Sequence, residues 1–361
     1  MISQANARHI PLADESVHMC MTSPPYWGLR DYGLATWEGG DAGCDHLGPP
    51  KSSGKSTLKN DGRPMEMVGQ NDYERGAVTP FRETCGKCGA VRHDSGIGLE
   101  KTPEEYVANI VAAFREVWRV LRDDGTLWLN MGDCYTGGAN TGGAGKRAGG
   151  GVPYRISGLA PKLGDGLKPK DLVGMPWRVA FALQADGWYL RSDIIWHKTN
   201  PMPESVRDRP TKAHEYLFLL AKQPRYFYDA QAIAESGSQT SGGWQQRAAM
   251  GNRAHGNGES AQGRGLGGVG LAGATRNRRD VWTIPTSPYK GAHFATFPPK
   301  LVEPCVLAGS PIGGIVFDPF CGSGTVGQVC RLHGRRFVGL DLSLKYLREL
   351  ALPRAEGKQR P

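Results

Sequence analysis

No run in this sequence approaches the ~18 consecutive apolar residues that a membrane span requires. No basic, apolar and small-residue leader precedes the first apolar stretch, so a soluble, cytoplasmic protein is the expectation. Cysteine is thin: eight in 361 residues, without a dense framework. That excludes a small disulfide-stapled secreted fold and leaves free thiols or metal ligands. Apolar periodicity is missing over residues 39–94, 137–170 and 236–279, where Gly, Ser, Lys, Arg and Asn dominate. Such stretches read as an insertion and loops rather than core elements. Acidic residues are in deficit, 35 against 44 Lys and Arg, for a net charge of +9. The surplus suggests a polyanionic partner, although a merely basic soluble protein carries the same number.

Enough remains for a core: hydrophobic residues make up 39% of the chain. The length permits one large α/β domain with insertions, or two domains. The stretch that organises the rest is Met21-Thr22-Ser23-Pro24-Pro25-Tyr26-Trp27. The apolar run from Val17 reads as a short buried strand. Pro24 and Pro25 cannot extend a sheet, so they end it in a stiff turn. The turn presents Ser23, the Pro24 carbonyl and the Tyr26 ring at a strand's C-terminal edge, where open α/β sheets bind ligands. Two acceptors beside an aromatic face suit a flat ligand bearing an NH₂ group. The plainer alternative is a proline turn with Tyr26 and Trp27 as core aromatics.

Along the chain, Arg8 to Leu12 reads as a first strand and Val17 to Thr22 as a second. The 39–94 insertion holds Cys44-Asp45-His46 and Cys85-Gly86-Lys87-Cys88-Gly89. A Cys-x₂-Cys followed by glycine is a zinc-knuckle pattern, and Cys44, His46, Cys85 and Cys88 together would close a structural Zn²⁺ site. His93 competes with His46 as fourth ligand, and a redox or unpaired Cys-x-x-Cys is the alternative. A segment this poor in apolar residues needs such a staple to be ordered.

Thr102-Pro103-Glu104-Glu105 opens a helix, with a capping box from Thr102 to Glu105 and Pro103 at the first helical position. Val107, Ile110, Val111, Phe114, Val117, Trp118 and Leu121 give its core-facing stripe. Thr126 to Met131 is the next strand, and helix followed by strand implies a parallel crossover. It ends in Asn130, Gly132, Asp133 and Tyr135, which places these polar residues on the same edge. Asp171 to Asp186 regains a helical pattern, while Trp188 to His197 and Tyr216 to Ala221 read as strands. The low-complexity stretch after Ser236 ends in Arg276-Asn277-Arg278-Arg279. Composition leaves two readings open: a solvated loop, or a loop that orders on a nucleic-acid backbone through Arg276, Arg278 and Arg279.

A second motif lies late in the chain. The strand Gly314 to Phe317 runs into Asp318-Pro319-Phe320-Cys321-Gly322-Ser323-Gly324-Thr325-Val326-Gly327, then a helix, then a strand ending in Asp341. Gly322, Gly324 and Gly327 match a dinucleotide fingerprint, with an acid about 20 residues on for ribose hydroxyls. An adenosine-containing cofactor follows from that placement.

Together the two motifs resemble the circularly permuted, β-class S-adenosylmethionine-dependent DNA amino-methyltransferases, in which Ser-Pro-Pro-Tyr precedes Asp-Pro-Phe-x-Gly-Ser-Gly-Thr. The resemblance implies a Rossmann-like α/β sheet acting on double-stranded DNA; it does not extend to the Gly-rich loops, read from composition as DNA-facing, and the zinc-stapled insertion is a subgroup feature at most. It implies S-adenosyl-L-methionine as cofactor, held by Asp318, Phe320, Gly322, Gly324 and Thr325, with Asp341 on the ribose. His293 to Pro298, including Ala295, Thr296 and Phe297, resembles the segment contacting the methionine part. Asn6 stands where many members carry an acid near the adenine. The family methylates cytosine N4 or adenine N6, and the Met21 to Tyr26 form resembles the N4-cytosine version. Ser23, Pro24, Pro25 and Tyr26 would then act on a flipped-out base. Pro304-Cys305 resembles the nucleophile motif of C5-cytosine methylation only superficially, and Cys305 reads as core.

The expected organisation is a catalytic start (1–38), the zinc insertion (39–94) and a catalytic core (95–235) with its Gly-rich loop at 137–170. A candidate target-recognition loop (236–280) and the cofactor-binding part (281–361) complete it. Adenine N6 methylation, a non-catalytic zinc-containing DNA-binding protein and a nicotinamide dehydrogenase remain as alternatives. Whether a restriction endonuclease accompanies the chain, whether its host is a bacterium or a virus-infected cell, and its oligomeric state are left open.

Overall fold

The computed structural model describes residues 1–28, 35–48, 83–93, 96–136, 167–236, 275–287 and 297–358. Most of the low-complexity stretches expected above lie outside the described residues, as do His293, Ala295 and Thr296.

Among the described residues, eight strands form one sheet: β1 (Ile2–Gln4), β2 (Val17–Thr22), β5 (Leu121–Met131), β6 (Tyr189–His197), β7 (His214–Ala221), β10 (Val281–Thr283), β11 (Ile315–Asp318) and β12 (Arg336–Asp341). Their spatial order is β1-β12-β11-β2-β5-β7-β6-β10. Every neighbouring pair is parallel except β5/β7 and β6/β7, so β7 alone runs against the rest. Two small hairpins stand apart, β3 (Thr36–Glu38) with β4 (Val91–His93), and β8 (Glu235–Ser236) with β9 (Thr275–Arg276).

Helices cover both faces, which parallel strands require. Side chains alternate along a strand with period two. Leu127, Leu129, Phe218 and Leu220 therefore enter one apolar layer, under α1 (Pro103–Val120) and α2 (Met175–Ala185). Met19, Met21, Trp128, Leu217 and Leu219 enter the other, under α3 (Pro299–Gly309) and α4 (Thr325–Leu332). Cys305 is fully buried in α3, so it is core as expected. A terminal helical segment, α5 over 344–355, packs Leu347 and Ala351 beside Cys321. No helix among the described residues is long and apolar enough to cross a membrane.

Helix α1 has its expected cap. Thr102 Oγ1 accepts from the Glu105 amide at 3.1 Å, and Glu105 Oε2 accepts from the Thr102 amide at 3.4 Å. Its deepest face is Tyr106, Ile110, Ala113, Phe114, Val117 and Val120. Val107, Val111 and Trp118 are half-buried at the flank, where Trp118 meets Trp188 edge-on at 4.8 Å.

One expected strand is absent. Arg8 to Leu12 forms turns, with the His9 amide on the Asn6 carbonyl and the Leu12 amide on that of Ile10. Pro11 supplies no amide for a ladder. The Arg119 guanidinium takes the Ile10 and Leu12 carbonyls, at 2.8 and 2.9 Å, in place of a neighbouring strand. The edge strand is instead Ile2–Gln4, paired with Gly339 to Asp341 of β12.

Candidate functional site

Strands β2 and β11 lie side by side, with Phe317 opposite Cys20. Their C-terminal ends therefore coincide, although 296 residues separate the two motifs. Thr22 Oγ1 donates to Asp318 Oδ1 at 2.6 Å, and both side chains are buried. The Phe320 amide donates to the same oxygen at 3.1 Å. Burial pushes the Asp318 carboxyl up to about 7, against the two hydrogen bonds that favour its ionised form.

The Ser-Pro-Pro-Tyr turn sits on this joint and is held from behind. Tyr106 of α1 donates to the Pro25 carbonyl at 2.9 Å. Trp27 Nε1 donates to the Glu100 carbonyl at 3.0 Å, and the Gly28 amide to that of Gly98 at 2.8 Å. The Pro24 carbonyl has no partner among the described residues. Tyr26 lies against Gly132, where an added Cβ would come within 2.7 Å of its ring.

The Tyr26 hydroxyl is the centre of a polar group assembled from four strand ends. It accepts from Ser23 Oγ at 3.3 Å and from Asn130 Nδ2 at 2.7 Å, and donates to Glu215 Oε2 at 2.8 Å. Asn130 also donates to Glu215 at 2.9 Å, and Lys198 Nζ reaches the other carboxylate oxygen at 2.5 Å. Burial pushes the Glu215 carboxyl up, but the Lys198 ammonium and the donors around it win and hold it below its ordinary value. Burial and the Glu215 charge hold the Tyr26 phenol well above its ordinary value. Glu215 is therefore a buried anion and Tyr26 a neutral hydroxyl at neutral pH. Asn130 Oδ1 is buried and has no partner among the described residues, so the group keeps an acceptor unused.

On the other side of Asp318, Asp341 ends β12. Its carboxylate accepts the Gly322 amide at 2.9 Å and the Ser343 amide at 2.8 Å. Burial raises its pKa. Each oxygen retains a lone pair for a further donor, which suits a ligand diol. Thr325 is buried in the first turn of α4, and Phe320 is half-buried against the core. Gly324 has a reason that the fingerprint does not supply. It adopts φ +74°, and a Cβ there would lie 2.8 Å from Ala351 of α5. Its missing side chain admits α5 as a neighbour. Phe297 packs against the apolar layer under α3 and α4.

The remaining expected residues fall into two groups. Cys44, His46, Cys85 and Cys88 come together, while His93 Nε2 pairs with Glu38 at 2.9 Å. In the basic cluster, Arg276 and Arg279 share one carboxylate, Glu235, at 3.3 and 3.0 Å. Arg278 stacks over Trp282 at 4.6 Å. Sequence reasoning passed over Glu215 and Lys198. The signal was present, since His214-Glu215 opens an otherwise apolar strand and Lys198 directly follows another.

A solved structure of PvuII DNA methyltransferase (cytosine-N4-specific) shares this fold. Its TM-score is 0.52 at 14% identity, covering 96% of this chain and 83% of that one. A solved structure of a Thermus thermophilus protein complexed with S-adenosyl-L-methionine gives a TM-score of 0.51 at 18% identity over 99% of this chain and 93% of that one. The fold is thus the Rossmann-like methyltransferase sheet. Among curated proteins, the Type II methyltransferase M.Cfr9I of Citrobacter freundii is 39% identical over 347 residues, 96% of this chain and 84% of that protein. The DNA methylase family model matches residues 17–352, and this chain belongs to that family, the N6/N4 DNA methylases.

Proposed function

We propose that this chain methylates the exocyclic N4 amine of cytosine in double-stranded DNA, with S-adenosyl-L-methionine as donor. The observation that carries the reading is the Thr22–Asp318 hydrogen bond at 2.6 Å, which makes one site of two motifs. Asp341 and the Asp318 loop stand on one side of it, and the acceptors of the Ser23 turn on the other. Asp341 lies two strands from Ser23, about 10 Å at ordinary strand spacing. A carboxylate with spare lone pairs fits a ribose diol, and Asp318, Phe320, Gly322, Gly324 and Thr325 would line the same end. When bound, the cofactor supplies an activated sulfonium methyl.

The protein's part is to orient and to take up a proton. A base inside a duplex cannot reach this edge, so it must be flipped out, with Tyr26 as the surface to stack on. Ser23 Oγ spends its proton on Tyr26, which leaves its lone pairs for an amine N–H. The Pro24 carbonyl is a second acceptor. Holding both amine protons favours a more tetrahedral nitrogen, whose lone pair can then face the methyl donor. The added methyl group makes one amine proton surplus. Ser23, Tyr26 and Glu215 form a row of hydrogen bonds along which it can leave, ending on a carboxylate balanced by Lys198.

Ser23 offers a hydroxyl where an Asp would offer a carboxylate, and the resemblance of Met21 to Tyr26 to the N4-cytosine form favours cytosine. Adenine N6 presents the same two protons and is the alternative within the family. Family membership removes the nicotinamide dehydrogenase alternative, which left the Ser23 turn unused. The designation of M.Cfr9I as a Type II methyltransferase supports a restriction-modification setting for this chain. Transfer of an isotope-labelled methyl group from S-adenosyl-L-methionine to duplex DNA tests the reading. Label recovered in cytosine supports it, label in adenine overturns the base assignment, and no label in DNA overturns the activity.

A further inference from the structure

The insertion between the Ser-Pro-Pro-Tyr turn and α1 carries a cluster that methyl transfer does not use. One ligand atom from each of Cys44, His46, Cys85 and Cys88 lies within 4.8 Å of all the others. Cys44 Sγ and Cys85 Sγ are 3.7 Å apart, and Cys88 Sγ is 3.5 Å from His46 Nδ1. A tetrahedral zinc ion with Zn–S near 2.3 Å and Zn–N near 2.0 Å separates its sulfurs by about 3.8 Å, and sulfur from nitrogen by about 3.5 Å. The two edges match. All three cysteines are free of disulfides.

The surroundings orient the four groups toward one centre. The Lys87 amide donates to Cys85 Sγ and the His46 amide to Cys44 Sγ, both at 3.4 Å, so each half closes the same small turn. The Gly89 amide returns to the Cys85 carbonyl at 2.8 Å and completes the knuckle. Trp37 stacks on the His46 imidazole, 4.5 Å between centroids and 14° between planes, which fixes the ring. Gly40, at φ +70°, passes so close that a Cβ would lie 2.7 Å from Cys88 Sγ. An Asp45–Lys87 ion pair at 2.7 Å ties one half to the other. Such partners are what orient the ligands in metal sites.

We propose that Cys44, His46, Cys85 and Cys88 bind one Zn²⁺ in a closed structural site that holds the two ends of the insertion together. Three soft thiolates and an imidazole select zinc over hard oxygen-seeking cations. Four protein ligands leave no open position for water or substrate, so the ion takes no part in the chemistry. Its work is to anchor the β3–β4 hairpin, whose strands are only three residues each. In the chain the hairpin falls between the partners of the Gly28–Gly98 and Trp27–Glu100 bonds behind Tyr26, and Lys101 beside α1 reaches Glu83 of the hairpin's approach at 3.7 Å.

Elemental analysis of the full-length purified protein tests the site. About one zinc per chain is expected, as for a single closed site. The Cys85→Ser/Cys88→Ser variant should lose it. His46→Cys should keep it, because a fourth thiolate completes the set, and His93→Ala should keep it, because His93 pairs with Glu38. Cobalt exchanged into wild-type protein should give the intense visible bands of a tetrahedral thiolate site, which does not depend on any variant folding. Trace zinc in protein whose thiols are all reduced, an octahedral cobalt spectrum, or zinc retained by the double serine variant would each overturn the proposal.

Discussion

Replacing Thr22 by Val leaves the shape of strand β2 and removes the one side-chain donor on Asp318 among the described residues. Both residues are buried, at 0% and 1% exposure, so no water replaces the lost bond. A hydrogen bond to a charged partner contributes about 1.5–3 kcal/mol, and one between neutral groups about 0.5–1.5 kcal/mol. The Asp318 carboxyl titrates at about 7, above its ordinary 3.8. With the folded value raised, the native state holds a proton that the unfolded chain has released. Stability therefore falls as pH rises from about 4 through about 7, and the cost is complete above that. At about pH 8.5 the variant loses a bond to a carboxylate; at about pH 5.5 it loses a bond to a neutral acid. Denaturant unfolding should thus show a loss of about 2–3 kcal/mol at the higher pH and about 1 kcal/mol at the lower. The difference, over 1 kcal/mol, equals about one further unit of upward shift on Asp318. Equal losses at the two pH values would refute a carboxyl titrating at this joint, and no loss at either would refute the joint itself.

Glu215→Gln leaves Lys198 without its counter-charge and ends the row from Ser23 on a neutral amide. Turnover should fall about 100-fold, with cofactor affinity by calorimetry unchanged. Because the Glu215 carboxyl is held below its ordinary value, the stability it adds is complete above the usual carboxylate range and disappears as pH falls through the folded value. The difference in stability between wild type and Glu215→Gln should accordingly be flat near neutrality and shrink in acid; growth in acid would contradict the assignment. Asp341→Ala should weaken S-adenosyl-L-methionine binding by roughly 10–100-fold, the equivalent of one charge-assisted hydrogen bond. Unchanged affinity would remove Asp341 from the cofactor site. Alanine at Arg276, Arg278 and Arg279 should shallow the log K against log salt slope by about 1.8 rather than ~2.7, since Glu235 already offsets one of the three charges. An unchanged slope would make the cluster a solvated loop.

Elements whose cause is local were readable from the chain. Thr102, Pro103 and Glu105 specify the start of α1 within four residues, and the structure repeats the expected cap. Ile315–Asp318 and Arg336–Asp341 follow from short apolar runs beside glycine turns. Arg8 to Leu12 misled because its pattern resembles a strand, while its carbonyls are claimed by Arg119, more than 100 residues away. The Ser23 turn and the Asp318 loop were each legible, but the hydrogen bond between Thr22 and Asp318 exists only once β2 and β11 are neighbours. The same holds for Glu215. Its partners Tyr26, Asn130 and Lys198 come from three other strand ends, and an apolar pattern starting at Tyr216 hides the acid in front of it. The Cys-x₂-Cys half of the proposed zinc site carried its own signal, whereas preferring His46 to His93 as the proposed fourth ligand needed the strand pair that places His93 against Glu38.

In the proposed mechanism Ser23 and the Pro24 carbonyl hold the reacting amine, and the identity of the methylated base tests that mechanism. DNA methylated by the purified protein is digested to nucleosides and the modified base identified by mass spectrometry, for wild type and for Ser23→Ala. The wild type should give N4-methylcytosine and Ser23→Ala should show a severe loss of it, with cofactor affinity retained. N6-methyladenine would transfer the site to the other amine of the family. 5-Methylcytosine, which requires attack through carbon, or full activity in Ser23→Ala would contradict that mechanism.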